Sequence, residues 1–187
     1  HLSWFKGVAP EVARVAGWIA RQREKTKRLD VHGERVPNYG IMPPGVIADW
    51  GRFTNVGFHE AHYCAGLREA ARAMVKIDHP DAAQLAANAD EFRDCVVRAY
   101  RWTQGRTPVT PLGDGTFVSA QPPILFIFGE VGGFFPGEDG SRAWCKNAAA
   151  HHLMVNRLLD PDSEETSWML DIMESIEFLR TALGEPE

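Results

Sequence analysis

Hydrophobic positions along the chain recur at helical spacing in several separate segments. Apolar residues three and four positions apart, with polar residues between them, are typical of amphipathic helices. The pattern predicts helices over residues 10–28, 55–77, 81–103, 142–159 and 164–182. Pro10 suits the first turn of the first helix, and Ser163 suits the N-cap of the last. The chain is therefore predicted to be all-α.

Two long loops, residues 29–54 and 105–141, separate these helices. The first loop is rich in glycine and proline but also in apolar and aromatic residues, which predicts an ordered loop packed on the body. In the second loop, a Gly-Asp-Gly sequence at residues 113–115 lies between two short threonine-containing stretches. This arrangement predicts a short β-hairpin.

The helices that follow the long loops differ in pattern from the others. Residues 58–77 and 142–159 carry small and apolar side chains over most of the helical circumference, which predicts inner helices, whereas the others have a single apolar stripe. Short turns make neighbouring helices antiparallel, so each long loop returns the chain to the same end. Residues 1–187 are thus predicted to form a single domain of antiparallel helical hairpins in two layers, with both long loops on one rim.

Composition and charge narrow the class of protein. A chain of 187 residues that is 44% hydrophobic can form one hydrophobic core. Its net charge is −5 and the sequence has no basic stripe, so nucleic acid is not expected as a partner. The longest strongly apolar stretch, residues 122–128, is too short to cross a bilayer. Cys64, Cys95 and Cys145 are odd in number and widely spaced, which predicts buried free thiols rather than disulfides or a zinc site. The compartment stays open.

Three consecutive stretches together resemble the six-hairpin glycosidases, in particular their α-L-rhamnosidase-like members. They are YGIMPPGVIADWG (39–51), FHEAHYCAGLREAARAMVKI (58–77) and DAAQLAANADEFRDCVVRAY (81–100). The segment LLDPDSEETSWMLDIMESIEF (158–178) resembles a later hairpin of that family. The resemblance implies an (α/α)6 toroid and a carbohydrate-active protein that hydrolyses glycosidic bonds.

A complete toroid has twelve helices, more than the pattern predicts here. The chain is therefore expected to be a partial or truncated toroid, or part of a larger one. Such a fragment would expose the flanks of its inner helices, which predicts as partner a second copy of the chain or the missing remainder of a longer chain. No membrane and no nucleic acid is expected as a partner.

Glycoside hydrolysis typically requires two carboxyl groups. Asp49 and Glu130, one on each long loop, are the predicted catalytic pair, and inversion of the anomeric centre is implied by the resemblance alone. Trp50 and Arg52 are predicted to position a sugar or oligosaccharide ligand. Further predicted substrate-binding residues are Tyr39, His59, Glu60, Tyr63 and Trp144. The alternatives are that Asp49 braces its loop and that Glu130 is a solvated loop carboxylate.

The sequence FHEAHY at residues 58–63 is close to a zinc-protease motif but departs from it. That motif places its second histidine four residues after the first, where this chain has Tyr63, while His62 lies only three residues after His59. A spacing of three can share a helix face, and no third ligand is evident from spacing, although His151 and His152 on the other predicted inner helix could approach. No metal and no cofactor is predicted.

Two rival functions remain open from the sequence. One is a non-catalytic helical module that binds carbohydrate or serves in assembly. The other is an α/α-toroid polysaccharide lyase, in which His59, His62 and Tyr63 replace the carboxylate pair.

Overall fold

The structure is a computed structural model that describes residues 1–46, 53–128 and 151–178, except for the side chains of 176–178. Helix is the predominant element of this part of the chain, and short antiparallel strands accompany the helices. The chain divides into two compact units, one formed by residues 1–43 and 59–99 and the other by 44–58 and 100–187. Each unit therefore combines separate stretches of the sequence.

Helix α1, in the first unit, spans Leu2–Glu24 and passes through Pro10. The predicted start at Pro10 is thus wrong. Ala9 and Ala16 are both buried, seven residues apart, so one apolar stripe continues on both sides of the proline. A proline inside a helix costs about 3 kcal/mol because it removes a hydrogen bond and crowds the preceding turn. Pro10 is exposed, and burial of the stripe on either side of it offsets that cost.

Helices α2, Gly57–Val75, and α3, Ala82–Gln104, follow each other after a short turn. The Sγ atom of Cys64 in α2 lies 3.6 Å from the carbonyl oxygen of Ala89 in α3. These two residues are at similar distances along the chain from the turn, so the helices run antiparallel. The helical hairpin predicted for this part of the chain is present.

Helix α2 has one buried stripe, although its pattern predicted burial on most sides. The buried residues of the stripe are Glu60, Ala61, Cys64, Leu67, Ala71 and Met74. His62, Tyr63 and Gly66 are exposed on another side of the same helix. Alanine favours helix wherever it lies, so a run of small residues does not distinguish a buried helix from a half-exposed one.

Two of the three cysteines lie in the described part of the chain. Cys64 and Cys95 are both buried and free, which confirms the prediction for these two. Burial raises the pKa of the Cys64 thiol to about 11. The thiol is therefore protonated and unreactive at neutral pH. Cys145 lies outside the described residues.

A small sheet in the second unit has the strand order β1-β2-β5. Its strands are β1, Gly45–Val46, β2, Phe53–Val56, and β5, Ile124–Leu125. Strand β2 lies in the middle and pairs antiparallel with both neighbours, with Val46 opposite Phe53 and Val56 opposite Ile124. The pairing brings the first long loop and the apolar stretch 122–128 together, which helical periodicity did not predict.

The β-hairpin predicted in the second long loop is confirmed. Strand β3, Thr110–Pro111, pairs antiparallel with β4, Phe117–Val118. Gly115 has a φ of +88°, which glycine adopts without strain. The Oδ1 atom of Asp114 accepts hydrogen bonds from the backbone N–H and the hydroxyl of Thr116, at 2.9 and 2.7 Å. This is the turn chemistry expected of aspartate next to glycine.

The C-terminal described segment contains further helix. Residues 151–155 are helical, and α4, Glu164–Ile172, continues into a π-helix, Met173–Phe178. The Ser163 Oγ atom accepts a hydrogen bond from the Thr166 N–H at 3.4 Å, which confirms the predicted N-cap. The predicted ranges 142–150 and 179–182 lie outside the described residues.

The fold class predicted from the sequence needs one correction. The chain is not strictly all-α, because five short strands accompany the helices within the described residues. The described helices do not show a toroid. Within that same part of the chain, no helix is both long and apolar enough to cross a membrane.

Candidate functional site

Residues 39–42, which we call the clamped segment, are held at their backbone by side chains from the surrounding helices. The Arg98 Nη2 atom of α3 donates a hydrogen bond to the Tyr39 carbonyl oxygen at 3.0 Å. The Arg23 Nε atom of α1 donates to the Gly40 carbonyl oxygen at 2.7 Å. Charged donors make the stronger kind of hydrogen bond, so these contacts fix the segment firmly.

The next two residues of the clamped segment are held in the same way. The Thr26 hydroxyl, just after α1, lies 2.7 Å from the carbonyl oxygen of Ile41. The Met42 N–H donates to the Glu60 Oε2 atom of α2 at 3.1 Å. In each of these four consecutive residues, a side chain from another part of the chain therefore contacts a backbone N–H or carbonyl group. These contacts satisfy polar groups whose burial without a partner would cost free energy.

Arg23 is a deeply buried charged residue of this network, with 2% of its surface exposed. Besides Gly40, its guanidinium donates to the Asn88 carbonyl oxygen at 3.1 Å and to the Glu91 Oε2 atom at 3.3 Å. The guanidinium carbon also lies 4.4 Å from the centroid of the Phe92 ring. Arg23 therefore joins the clamped segment to α3 with its donors directed at fixed acceptors.

Glu91 connects the buried arginine to the surface. Its carboxylate also accepts a hydrogen bond from Lys27 Nζ at 3.0 Å. Burial acts to raise the pKa of Glu91, but the hydrogen bond from Lys27 and the charges of Arg23 and Lys27 outweigh it and lower that pKa. The carboxylate is therefore held ionised, as a buried cation requires.

Gly40 occupies a position that no other residue fits easily. Its φ of +72° lies in the left-handed region, and a Cβ atom there would come 2.6 Å from the Cys95 Sγ atom. The glycine of the Tyr-Gly-Ile-Met sequence is thus required by both backbone conformation and space.

Glu60 and Tyr39, both predicted to bind substrate, take part in this network. Only 1% of Glu60 is exposed, and the hydrogen bond from Met42 N–H occupies one of its carboxylate oxygens. The Tyr39 ring lies 4.6 Å from the Arg35 guanidinium carbon and 5.6 Å from that of Arg98. Glu60 therefore holds the clamped segment, and Tyr39 is part of it; the binding of substrate by either residue stays a prediction.

His59 and Tyr63, also predicted to bind substrate, lie on one face of α2. Their ring centroids are 6.4 Å apart, as expected for residues separated by one helical turn. Tyr63 is 36% exposed and its ring centroid lies 6.3 Å from that of Trp18 in α1, which is 43% exposed. The two helices thus present adjacent aromatic rings to solvent.

The electrostatics of this face favour a neutral His59. Burial lowers the pKa of His59, and the charge of His62 lowers it further. At neutral pH the imidazole is therefore mainly neutral, with one nitrogen as donor and the other as acceptor. Such a group can hydrogen-bond an uncharged hydroxyl in either direction.

Sequence reasoning did not single out Trp18. It lies outside the buried stripe of α1, which made it one more aromatic residue on an amphipathic helix. A large aromatic side chain beside the polar face was the available signal, but only its contact with Tyr63 identifies it.

A second aromatic cluster lies in the other unit. Trp102 contacts the rings of Phe126 and Phe128, with centroids 5.9 and 5.6 Å away, and the Arg106 guanidinium carbon lies 4.0 Å from its centroid. Phe126 has a φ of +66°, and its N–H donates to the buried Thr103 hydroxyl at 3.1 Å. These contacts account for the packing of the segment that follows β5.

The second unit contains two further polar contacts, one buried and one at the surface. Buried Tyr100 donates a hydrogen bond from its hydroxyl to the side chain of Gln121, and burial raises the pKa of this tyrosine. Arg101 Nε and Nη2 both donate to the Glu165 carboxylate at 2.7 Å. This paired geometry joins α3 to α4 within the unit.

Several predicted site residues lie outside the described residues. These are Asp49, Trp50, Arg52, Glu130 and Trp144. For the first three, the structure does describe both flanking strands, and Val46 pairs with Phe53. The two ends of the connection that carries Asp49 are therefore held next to each other.

Two of the histidines considered as metal ligands, His151 and His152, belong to the second unit. His151 and His152 have ring centroids 5.3 Å apart, and His152 packs edge-on against Phe58 at 4.5 Å. Among residues 1–46, 53–128 and 151–178, no three histidine, cysteine, aspartate or glutamate side chains lie together as the ligands of a metal ion would.

Comparison with family models, with curated proteins and with solved structures finds no match for the chain.

Proposed function

We propose that the chain is a carbohydrate-active protein that hydrolyses a glycosidic bond with Asp49 and Glu130 as its carboxylate pair. The observation that carries the proposal is the pairing of Val46 with Phe53, which fixes both ends of the connection containing Asp49. A catalytic group must be held in place to be effective, and a connection closed by paired strands provides such a support. The resemblance of residues 39–51 to six-hairpin glycosidases supports the same assignment.

In this proposal, the two carboxyl groups have different catalytic roles, general acid and general base. One protonates the leaving oxygen, and the other activates a water on the opposite face of the sugar ring. Trp50 stacks on the ring beside Asp49, and Arg52 positions a sugar hydroxyl. The assignment of inversion rests on the resemblance to the inverting members of that family.

Substitution of each carboxylate tests the proposal. With p-nitrophenyl α-L-rhamnopyranoside as substrate, we expect Asp49→Asn and Glu130→Gln each to reduce the release of p-nitrophenol by about a hundredfold or more. Asp90→Asn is the matched control, because Asp90 is an exposed carboxylate on α3, and this variant should keep full activity. Activity that survives in Asp49→Asn would show that Asp49 is not catalytic.

The exposed Trp18 and Tyr63 rings also support a second candidate function, a carbohydrate-binding module without catalysis. Aromatic rings in contact at the surface can hold a sugar without any carboxylate pair. Such a module would show a thermal shift on addition of sugar but no release of p-nitrophenol from any glycoside. The same two measurements on the unmodified chain therefore separate the two functions.

A further inference from the structure

The exposed face of α2 has a regular arrangement that packing does not explain. His59, His62, Tyr63 and Gly66 lie at positions i, i+3, i+4 and i+7, so they share one side of the helix. Trp18 of α1 adjoins this side through its contact with Tyr63. We call these five residues the aromatic face.

Gly66 leaves part of the aromatic face open. A Cβ atom at this position would meet nothing within 4 Å, so neighbouring atoms do not require a glycine. Glycine inside a helix is unfavourable compared with alanine because it loses more conformational freedom on folding. Its presence next to Tyr63 therefore keeps space beside the aromatic ring at a cost in stability.

We propose that the aromatic face is a subsite that binds a neutral pyranose ring. Trp18 and Tyr63 stack on the apolar C–H surface of the sugar, and the imidazoles of His59 and His62 hydrogen-bond its hydroxyl groups. Gly66 leaves room for the ring beside Tyr63. This inference rests on the proposed function, because it names a place at which the same class of carbohydrate is held.

The composition of the face selects this kind of ligand. Its side chains are aromatic rings and imidazoles, whereas sites for phosphate or carboxylate groups are typically built from guanidinium and ammonium groups. A sugar ring offers an apolar surface and hydroxyl groups together, which matches a surface of alternating aromatic and imidazole groups.

A nuclear magnetic resonance titration tests the subsite directly. In 1H–15N spectra of the full chain, the indole N–H of Trp18 is identified by its loss in Trp18→Phe, and that of Trp4 by its loss in Trp4→Phe. We expect at least one of L-rhamnose, D-glucose and D-galactose to shift the Trp18 resonance while that of Trp4 stays in place. Trp4 is the matched control because it lies on the same helix and is 70% exposed.

Variants then measure the contribution of each part of the face. Tyr63→Ala should raise the Kd of the sugar about tenfold, whereas Tyr63→Phe, which keeps the ring, should change it less than about twofold. Gly66→Gln should weaken binding by a similar factor, because its side chain occupies the open space. Gly7→Gln is its control, since Gly7 also lies in a helix with nothing within 4 Å of a Cβ atom.

The outcomes separate the subsite from the proposed function. If no sugar shifts the Trp18 resonance, or if Tyr63→Ala and Gly66→Gln bind like the unmodified chain, the subsite is wrong, even where glycoside hydrolysis is observed. If Trp18→Ala changes the oligomeric state without changing sugar binding, the face is a contact between chains, which also overturns the subsite. If the sugar binds at the face and no glycoside is hydrolysed, the subsite stands and the catalytic proposal fails.

Discussion

Arg23 lies at a position of α1 where the helical spacing of the buried residues predicts an apolar side chain. Ala16, Ile19 and Arg23 lie on one buried stripe of the helix. The sequence predicted the stripe from its apolar members but gave no sign that an arginine would continue it. Its acceptors, the carbonyl oxygens of Gly40 and Asn88, belong to distant parts of the chain, so only the tertiary structure reveals why a charge is tolerated there.

Replacement of Arg23 tests how much the clamped segment depends on this residue. Arg23→Met keeps much of the apolar stem but removes the guanidinium donor of the Gly40 carbonyl oxygen and the cation beside Glu91, so we expect a loss of about 2–4 kcal/mol in the free energy of unfolding. Arg21→Met, an exposed arginine on the same helix, should change it by less than about 0.5 kcal/mol. Urea denaturation measures both, and equal effects would contradict the role given to Arg23.

Glu91 makes the same network sensitive to acid. Its pKa is lowered in the folded chain, so its contribution to stability is present above its unfolded value of about 4.5 and is lost as the pH falls through the lower folded value. Because the side chain is 38% exposed, solvent screens part of the effect. We expect the stability of Glu91→Gln to fall less steeply below that pH than that of the unmodified chain.

Asp90→Asn serves as the control for this pH series, since Asp90 is exposed on the same helix. Its stability should follow the pH profile of the unmodified chain, measured by urea denaturation at each pH. Parallel profiles for Glu91→Gln and Asp90→Asn would mean that the Glu91 contacts contribute nothing to acid sensitivity.

Gly40 and Gly33 offer a comparison between backbone strain alone and strain with a steric clash. Both have positive φ, but only at Gly40 would a Cβ atom meet a neighbour, the Cys95 Sγ atom at 2.6 Å. Gly33→Ala should cost about 1–2 kcal/mol in the free energy of unfolding, and Gly40→Ala clearly more. Adding Cys95→Ala to Gly40→Ala should recover the excess; a double variant as unstable as Gly40→Ala would rule out the clash.

At the scale of elements, the sequence predicted the long helices well because their apolar periodicity extends over several turns. It predicted the hairpin at β3 and β4 from the Gly-Asp-Gly turn. It did not predict the sheet β1-β2-β5, because strands of two to four residues are too short to show an alternating pattern, and their pairing depends on residues far apart in the chain. The preference of proline for the first turn of a helix likewise gave a wrong start for α1 at Pro10. The helix passes through Pro10 because apolar residues are buried on both sides of it.

The start of α4 depends on its N-cap. The Ser163 Oγ atom accepts the hydrogen bond from the Thr166 N–H and its hydroxyl lies 2.7 Å from the Asp160 carbonyl oxygen. Ser163→Ala should therefore lower the free energy of unfolding by about 1 kcal/mol. Ser167→Ala, an exposed serine within the same helix, should have almost no effect in the same urea denaturation. If the N-cap hydrogen bond does not stabilise the chain, Ser163→Ala and Ser167→Ala will have the same free energy of unfolding.

At the scale of the whole molecule, the chain consists of two compact units, and the candidate residues fall in both. The clamped segment and the aromatic face belong to the first unit, whereas the paired strands that flank Asp49 belong to the second. Loop position and the resemblance predict the catalytic pair, Asp49 and Glu130, and neither carboxylate is among the described residues. The partner predicted from the sequence, a second copy or a missing segment, stays a prediction.

We propose that the chain hydrolyses a glycosidic bond with inversion. The most direct measurement is a time course of 1H nuclear magnetic resonance spectra of the full chain with p-nitrophenyl α-L-rhamnopyranoside, in which the anomeric proton of the first product is observed before mutarotation. We expect β-L-rhamnose to form first, because a water activated by one carboxylate attacks the face opposite the leaving group. First appearance of α-L-rhamnose, or no hydrolysis at all, would contradict it.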